Sequence, residues 1–125
     1  MIERSAKIPG PDHPIAIEGN PSHVVVTYHG DVIADTHKAL RLREANYPGV
    51  LYIPRADVTM AKLTRSEQKT YCPYKGECSY YSLPSGDARA VNAVWTYETP
   101  YESVSAIREH LAFYPDRVEI TETAD

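Results

Sequence analysis

The sequence predicts a mainly β fold: a compact antiparallel sheet folded into a barrel- or sandwich-like single domain, with one short helix. Short runs in which apolar and polar residues alternate recur along the chain, the period of a half-buried strand. Gly, Pro, Asn and Asp clusters punctuate those runs at close spacing, as turns between short strands require. One stretch, Val104 to Leu111, spaces its apolar residues as a helix would. The 125 residues suit one domain. A chain of that size buries about two thirds of its unfolded surface, so it needs no disulfide or metal staple.

Residues 1–22 hold four of the ten prolines. They read as an extended N-terminal arm laid over the body with Ile15 and Ile17 as anchors, or else as a mobile tail. Residues 23–122 form the β domain, and residues 123–125 read as a frayed tail. Within the domain, residues 23–35 predict a hairpin. Val24, Val26 and Tyr28 alternate with Val25, Thr27 and His29, and Gly30 with Asp31 supplies the turn. Residues 38–44 contain good helix formers, yet Leu40 and Leu42 alternate with Arg41 and Arg43, which favours a strand. Tyr47, Pro48 and Gly49 turn the chain into a strand at residues 50–53, stopped by Pro54. Residues 57–68 predict a loop with one short helical turn near Ser66 and Gln68.

Residues 78–83 and 89–97 read as two strands around a turn made by Pro84, Ser85, Gly86 and Asp87. Val91, Ala93, Trp95 and Tyr97 would share a face of the second. Residues 103–113 are the helix candidate, through Val104, Ile107, His110 and Leu111. Val118 and Ile120 alternate with Glu119 and Thr121 in a last strand.

Several function classes lose support from composition. The net charge is −4 and the basic residues are scattered, which opposes a nucleic-acid role. No apolar stretch approaches the roughly 20 residues of a membrane span. The N-terminal residues lack the apolar core of an export signal, and only two cysteines occur, so the expected compartment is the cytoplasm. Cys72 and Cys78 lie too far apart for the usual zinc pair, and His13, His23, His29, His37 and His110 show no ligand spacing. No metal and no cofactor is therefore expected. The chain also lacks a phosphate-cradling glycine loop and a nucleophile elbow.

Two groups of residues remain as candidates for chemistry. Cys72 stands three positions before Lys75, and a nearby ammonium favours a nucleophilic thiolate. The plainer reading is a cysteine packed in a turn, since Pro73 and Gly76 are turn residues. The ten tyrosines are the second group, with Tyr52, Tyr80, Tyr81, Trp95 and Tyr97 on predicted strands. They describe either a core with polar edges or an aromatic-walled cavity.

The residues Asp57, Val58, Thr70, Cys72, Pro73, Lys75 and Gly76, followed by Trp95, Thr96, Tyr97, Phe113 and Tyr114, carry a resemblance to a family. So do Asp35, Glu44, Tyr52 and Pro54 upstream, and His13, Pro14 and Ile15 near the start. Together they make the chain similar to the bacterial domain-of-unknown-function 427 family, with Cys-Pro-x-Lys-Gly as the most specific element. The resemblance implies a compact antiparallel β domain and an activity that is not established. It also brings a nucleotidyltransferase label, although that chemistry uses paired carboxylates on two metal ions and the chain has no Asp-x-Asp pair.

By resemblance the marked positions are Tyr52, Asp57, Thr70, Cys72, Lys75, Trp95 and Tyr97. Three readings follow. In a binding module Tyr52, Thr70, Trp95 and Tyr97, with Lys75 at the mouth, take a small anionic or planar metabolite. In an enzyme Cys72 is the nucleophile, Lys75 or a histidine tunes it, and Asp57 is an acid, base or orienter. In a scaffold the domain docks to a protein partner.

Overall fold

The computed structural model describes residues 6–124. Ten strands build two antiparallel sheets, in the orders β1-β4-β5-β9-β8-β7-β6 and β10-β2-β3. The strands are β1 (Ile15–Asn20), β2 (His23–Tyr28), β3 (Asp31–Thr36), β4 (Ala39–Glu44), β5 (Val50–Pro54), β6 (Thr64–Cys72), β7 (Gly76–Ser82), β8 (Val94–Thr96), β9 (His110–Phe113) and β10 (Glu119–Thr123). The large sheet does not close: β1 and β6 end it, and the small sheet lies on one of its faces. The fold is thus the sandwich-like form of the expected architecture, not a barrel.

Alternation along shared strands divides the apolar residues between two cores. One face of the large sheet gives Ile53, Tyr81, Val94, Leu111 and Phe113, packed against Val24, Val26, Ile33 and Ala34 of the small sheet. The opposite face gives Leu42, Tyr52, Cys78, Tyr97 and Ala112, covered by Val104 and Ile107.

The hairpin β2–β3 turns on His29 (φ 51°) and Gly30 (φ 83°), the paired left-handed residues of a primed two-residue turn. Asp31 already belongs to the returning strand, opposite Tyr28. β4 is a strand as its alternation predicts. Leu40 and Leu42 point to the second core, while Arg43 reaches Glu18 of β1 at 2.8 Å and Arg41 reaches Glu122 of β10 at 2.6 Å. The arm contributes a strand of its own: Ile15 and Ile17 are half-buried, and β1 pairs with β4 along its length. Met1 to Ser5 of the arm and Asp125 of the tail lie outside the described residues.

Three expected elements differ. The loop with a helical turn expected over 57–68 gives way from Thr64 onward to β6 (Thr64–Cys72), an edge strand exposed over most of its length. Polar side chains on both of its faces left no alternation to read. The strand exists because β7 pairs with it, across an irregularity between Arg65 and Lys69. The strand expected over 89–97 shrinks to β8. Ahead of it a 3-10 turn, Ala88–Ala90, is capped by Asp87, and Asn92 takes a left-handed conformation (φ 55°). The helix expected over 103–113 is instead a kinked 3-10 segment, Glu102–Ile107, followed by β9. The three-residue spacing of Val104 and Ile107 suits a 3-10 turn as well as an α-helix. Glu109 (φ 60°) then breaks the direction, so Leu111 belongs to a strand. Among the described residues no helix is long and apolar enough to cross a membrane.

Candidate functional site

The second core is incompletely covered, and the gap is a cavity of about 230 Å³. Each wall comes from strand alternation on one sheet face. β4 supplies Leu42 and Glu44, β5 supplies Val50 and Tyr52, β7 supplies Cys78 and Tyr80, and Trp95 with Tyr97 follows from β8. The register makes the set continuous, since Leu42 faces Val50 and Tyr80 faces Trp95. Tyr47 and Pro48, in the turn between β4 and β5, and Tyr114 after β9 complete the rim.

Lys75 enters from the turn between β6 and β7. Its backbone N–H donates to the Cys72 carbonyl at 3.2 Å, and its own carbonyl accepts from the Tyr101 N–H at 3.0 Å. Gly76 follows at φ 109°, and a Cβ there would sit 3.5 Å from the Thr99 carbonyl oxygen. These constraints send the Lys75 side chain inward, leaving the residue 8% exposed. Its Nζ lies 2.5 Å from Oε1 of Glu44 and 5.8 Å from the centroid of the Tyr97 ring. The other Glu44 oxygen, Oε2, is 2.6 Å from Nε2 of His13, whose ring stacks on Tyr74 at 4.0 Å.

The electrostatics follow from burial and that one pair. Burial alone would raise the Glu44 carboxyl. Hydrogen bonds and charge from Lys75 and His13 outweigh it and hold the group below its ordinary value of 4.5. Burial pushes the Tyr52 and Tyr97 hydroxyls far above the usual tyrosine range and Tyr80 to about 12. It also raises the Cys78 thiol. At neutral pH the cavity therefore offers neutral phenols, a protonated thiol, an indole and one compact ion pair. Such a surface stacks planar groups and donates hydrogen bonds; it supplies no ready thiolate at Cys78.

Of the residues singled out in the sequence, Tyr52, Lys75, Trp95 and Tyr97 line this cavity together. Trp95 Nε1 donates to the Tyr52 hydroxyl at 3.2 Å, and the two rings meet edge to face. Thr70 stands behind the wall, its hydroxyl 2.8 Å from that of Tyr80. Cys72 is half-buried against the second core and is not part of the lining. Asp57 lies elsewhere, accepting a hydrogen bond from the Thr36 hydroxyl at 2.7 Å.

The sequence marks Glu44, Tyr114 and, behind Glu44, His13 only through the family resemblance and Tyr80 only among the strand tyrosines; it places none of these, nor Tyr47, in the binding set. A signal for Glu44 was present: in the alternation Leu40, Leu42, Glu44 it is the charged member of an apolar face. Nothing local marks His13, which arrives through the pairing of β1 with β4. Among the described residues no cluster of three or more His, Cys, Asp or Glu is placed to hold a metal ion.

Residues 16–124 match a family described as a domain of unknown function (DUF427). No curated protein matches the chain.

Proposed function

Given that the chain belongs to the domain-of-unknown-function (DUF427) family, a membership that leaves activity open, we propose that it is a small-molecule binding domain whose tyrosine-walled cavity takes a small anionic or planar metabolite. The observation that carries this reading is the Lys75–Glu44 pair, held almost out of solvent on the wall of an aromatic cavity. Sealing an ion pair away from water costs several kcal/mol per ion and is weak evidence for stability as such. A pair spent at the edge of an open space is better accounted for by a ligand. A lysine ammonium has three donors and the bond to Glu44 uses one, so an anionic group can share it. Tyr52, Trp95 and Tyr97 supply the faces for a planar body. We place the domain in the cytoplasm, where its two free cysteines would stay reduced.

The test uses Trp95, the single tryptophan, as reporter. Small carboxylates, sugar phosphates and nucleotides are screened by its emission and by thermal shift. Each hit is repeated in a Lys75→Met, Glu44→Gln double variant, which removes both charges and strands neither. Loss of a charge-assisted hydrogen bond should weaken an anionic hit roughly tenfold to a hundredfold. Equal affinity in the double variant would remove Lys75 from the site.

A further inference from the structure

A second cavity, of about 460 Å³, opens beside the first and is lined mainly by apolar residues. Leu51, Ile53, Phe113, Pro115 and Ile120 form its body. Tyr47, Pro48, Val50 and Trp95 line both cavities. The strand pairing explains the junction. β5 pairs with β9 only through Ile53 with Leu111 and Pro54 with His110. Val50 and Leu51 pair with β4, and Ala112 and Phe113 pair with β8, but these two pairs of residues do not pair with each other. The large sheet therefore splits at this end. Trp95 stands at the split, 4.6 Å from the Tyr114 ring, with the polar cavity toward one sheet face and the apolar one toward the other.

We propose that the two cavities bind one amphipathic molecule: a small anionic head beside Lys75, and an unbranched apolar chain passing Trp95 into the space under Ile120. This rests on the reading of the tyrosine cavity given above and adds the substrate class, short- to medium-chain carboxylates or their conjugates. The head cavity alone has half the volume of the second and carries the ion pair and the phenols. The second carries one charged residue, Arg41, and that guanidinium is engaged by Glu122 at 2.6 Å. An apolar chain there meets Leu51, Ile53, Phe113 and Ile120 and displaces water from surface that nothing polar claims.

The experiment is a chain-length series of linear carboxylates from acetate to dodecanoate, each below micelle formation, with binding read by calorimetry. Affinity should rise about fourfold per added methylene, the factor expected for transferring a CH₂ out of water, and level off when the groove is full. Ile120→Trp fills the groove and should flatten the rise; Leu51→Phe does so from the opposite wall if the first variant folds poorly. The Lys75→Met, Glu44→Gln double variant should lower every member by one common factor and leave the rise intact. A native chain that binds all lengths equally overturns the shared site while sparing the head cavity. A rise that the groove variants leave unchanged also overturns it. A rise with no effect of the charge removal overturns the head reading itself, and no binding at any length overturns both.

Discussion

Glu44 accepts from two partners at once, with Lys75 on Oε1 and His13 on Oε2. Its side chain is 16% exposed and that of Lys75 10%. Lys75→Met alone leaves the largely buried carboxylate with His13 as its remaining partner and Oε1 without its ammonium, so it should cost about 1–3 kcal/mol in urea unfolding, with the double variant recovering much of that loss. The pair also sets an acid limb. The folded carboxyl titrates below 4.5, so its contribution is complete above that pH and is lost as pH falls through the lower folded value. Glu44→Gln should accordingly show a shallower loss of stability below pH 4.5 than the native chain. Tyr52 and Tyr97 act at the other extreme. Their folded values are raised above the ordinary 10, so their contribution is present below pH 10 and is lost as pH rises beyond it. Alkaline absorbance should show these two tyrosines ionising only as the fold opens. At this scale the sequence revealed what alternation encodes: Trp95 and Tyr97 share a face, and Tyr52 sits on a short strand rich in β formers. It did not reveal which face Cys72 or Asp57 would meet, because that depends on pairing partners distant in the chain.

Gly76 shows how one turn aims an element at the site. Its φ of 109° is a conformation that residues bearing a β-carbon rarely adopt, and that strain sets the cost of a substitution, since a β-carbon would make only ordinary contact with the Thr99 carbonyl at 3.5 Å. Gly76→Ala should lower stability by about 1–2 kcal/mol and, by tilting the turn that presents Lys75, weaken anion binding too; a thermal melt and the Trp95 titration check the two effects separately. Elements whose pattern is local were legible. The hairpin of β2 and β3 carries its own alternation and turn residues, and Leu40 and Leu42 identify β4 against helix-forming neighbours. Elements imposed by tertiary contact were not. β6 has polar residues on both faces and is a strand because β7 lies beside it. β9 is too short for periodicity to separate it from the 3-10 turn ahead of it.

The two cores are built from opposite faces of the same strands, and that sharing governs how the whole molecule responds. On β5, Tyr52 enters one core and Ile53 the other; on β9, Ala112 and Leu111 do the same. Neither core can be lost while those strands stay ordered with both faces covered. Val26, fully buried between the sheets, reaches the opposite core only through the large sheet. Val26→Ala should cost about 2 kcal/mol through lost burial and the void left behind. Because the cores are joined, that loss should move the unfolding midpoint reported by Trp95 as far as the midpoint reported by far-ultraviolet dichroism, in one coincident transition. A bound ligand should act through the same linkage. At a hundred times its dissociation constant it adds about 2.7 kcal/mol, which both probes should register together. Midpoints that separate in Val26→Ala, with dichroism lost before Trp95 emission shifts, would show that β10, β2 and β3 melt from the large sheet on their own. The groove under Ile120 would then be a seam between independent units, too weakly held to shape a ligand site.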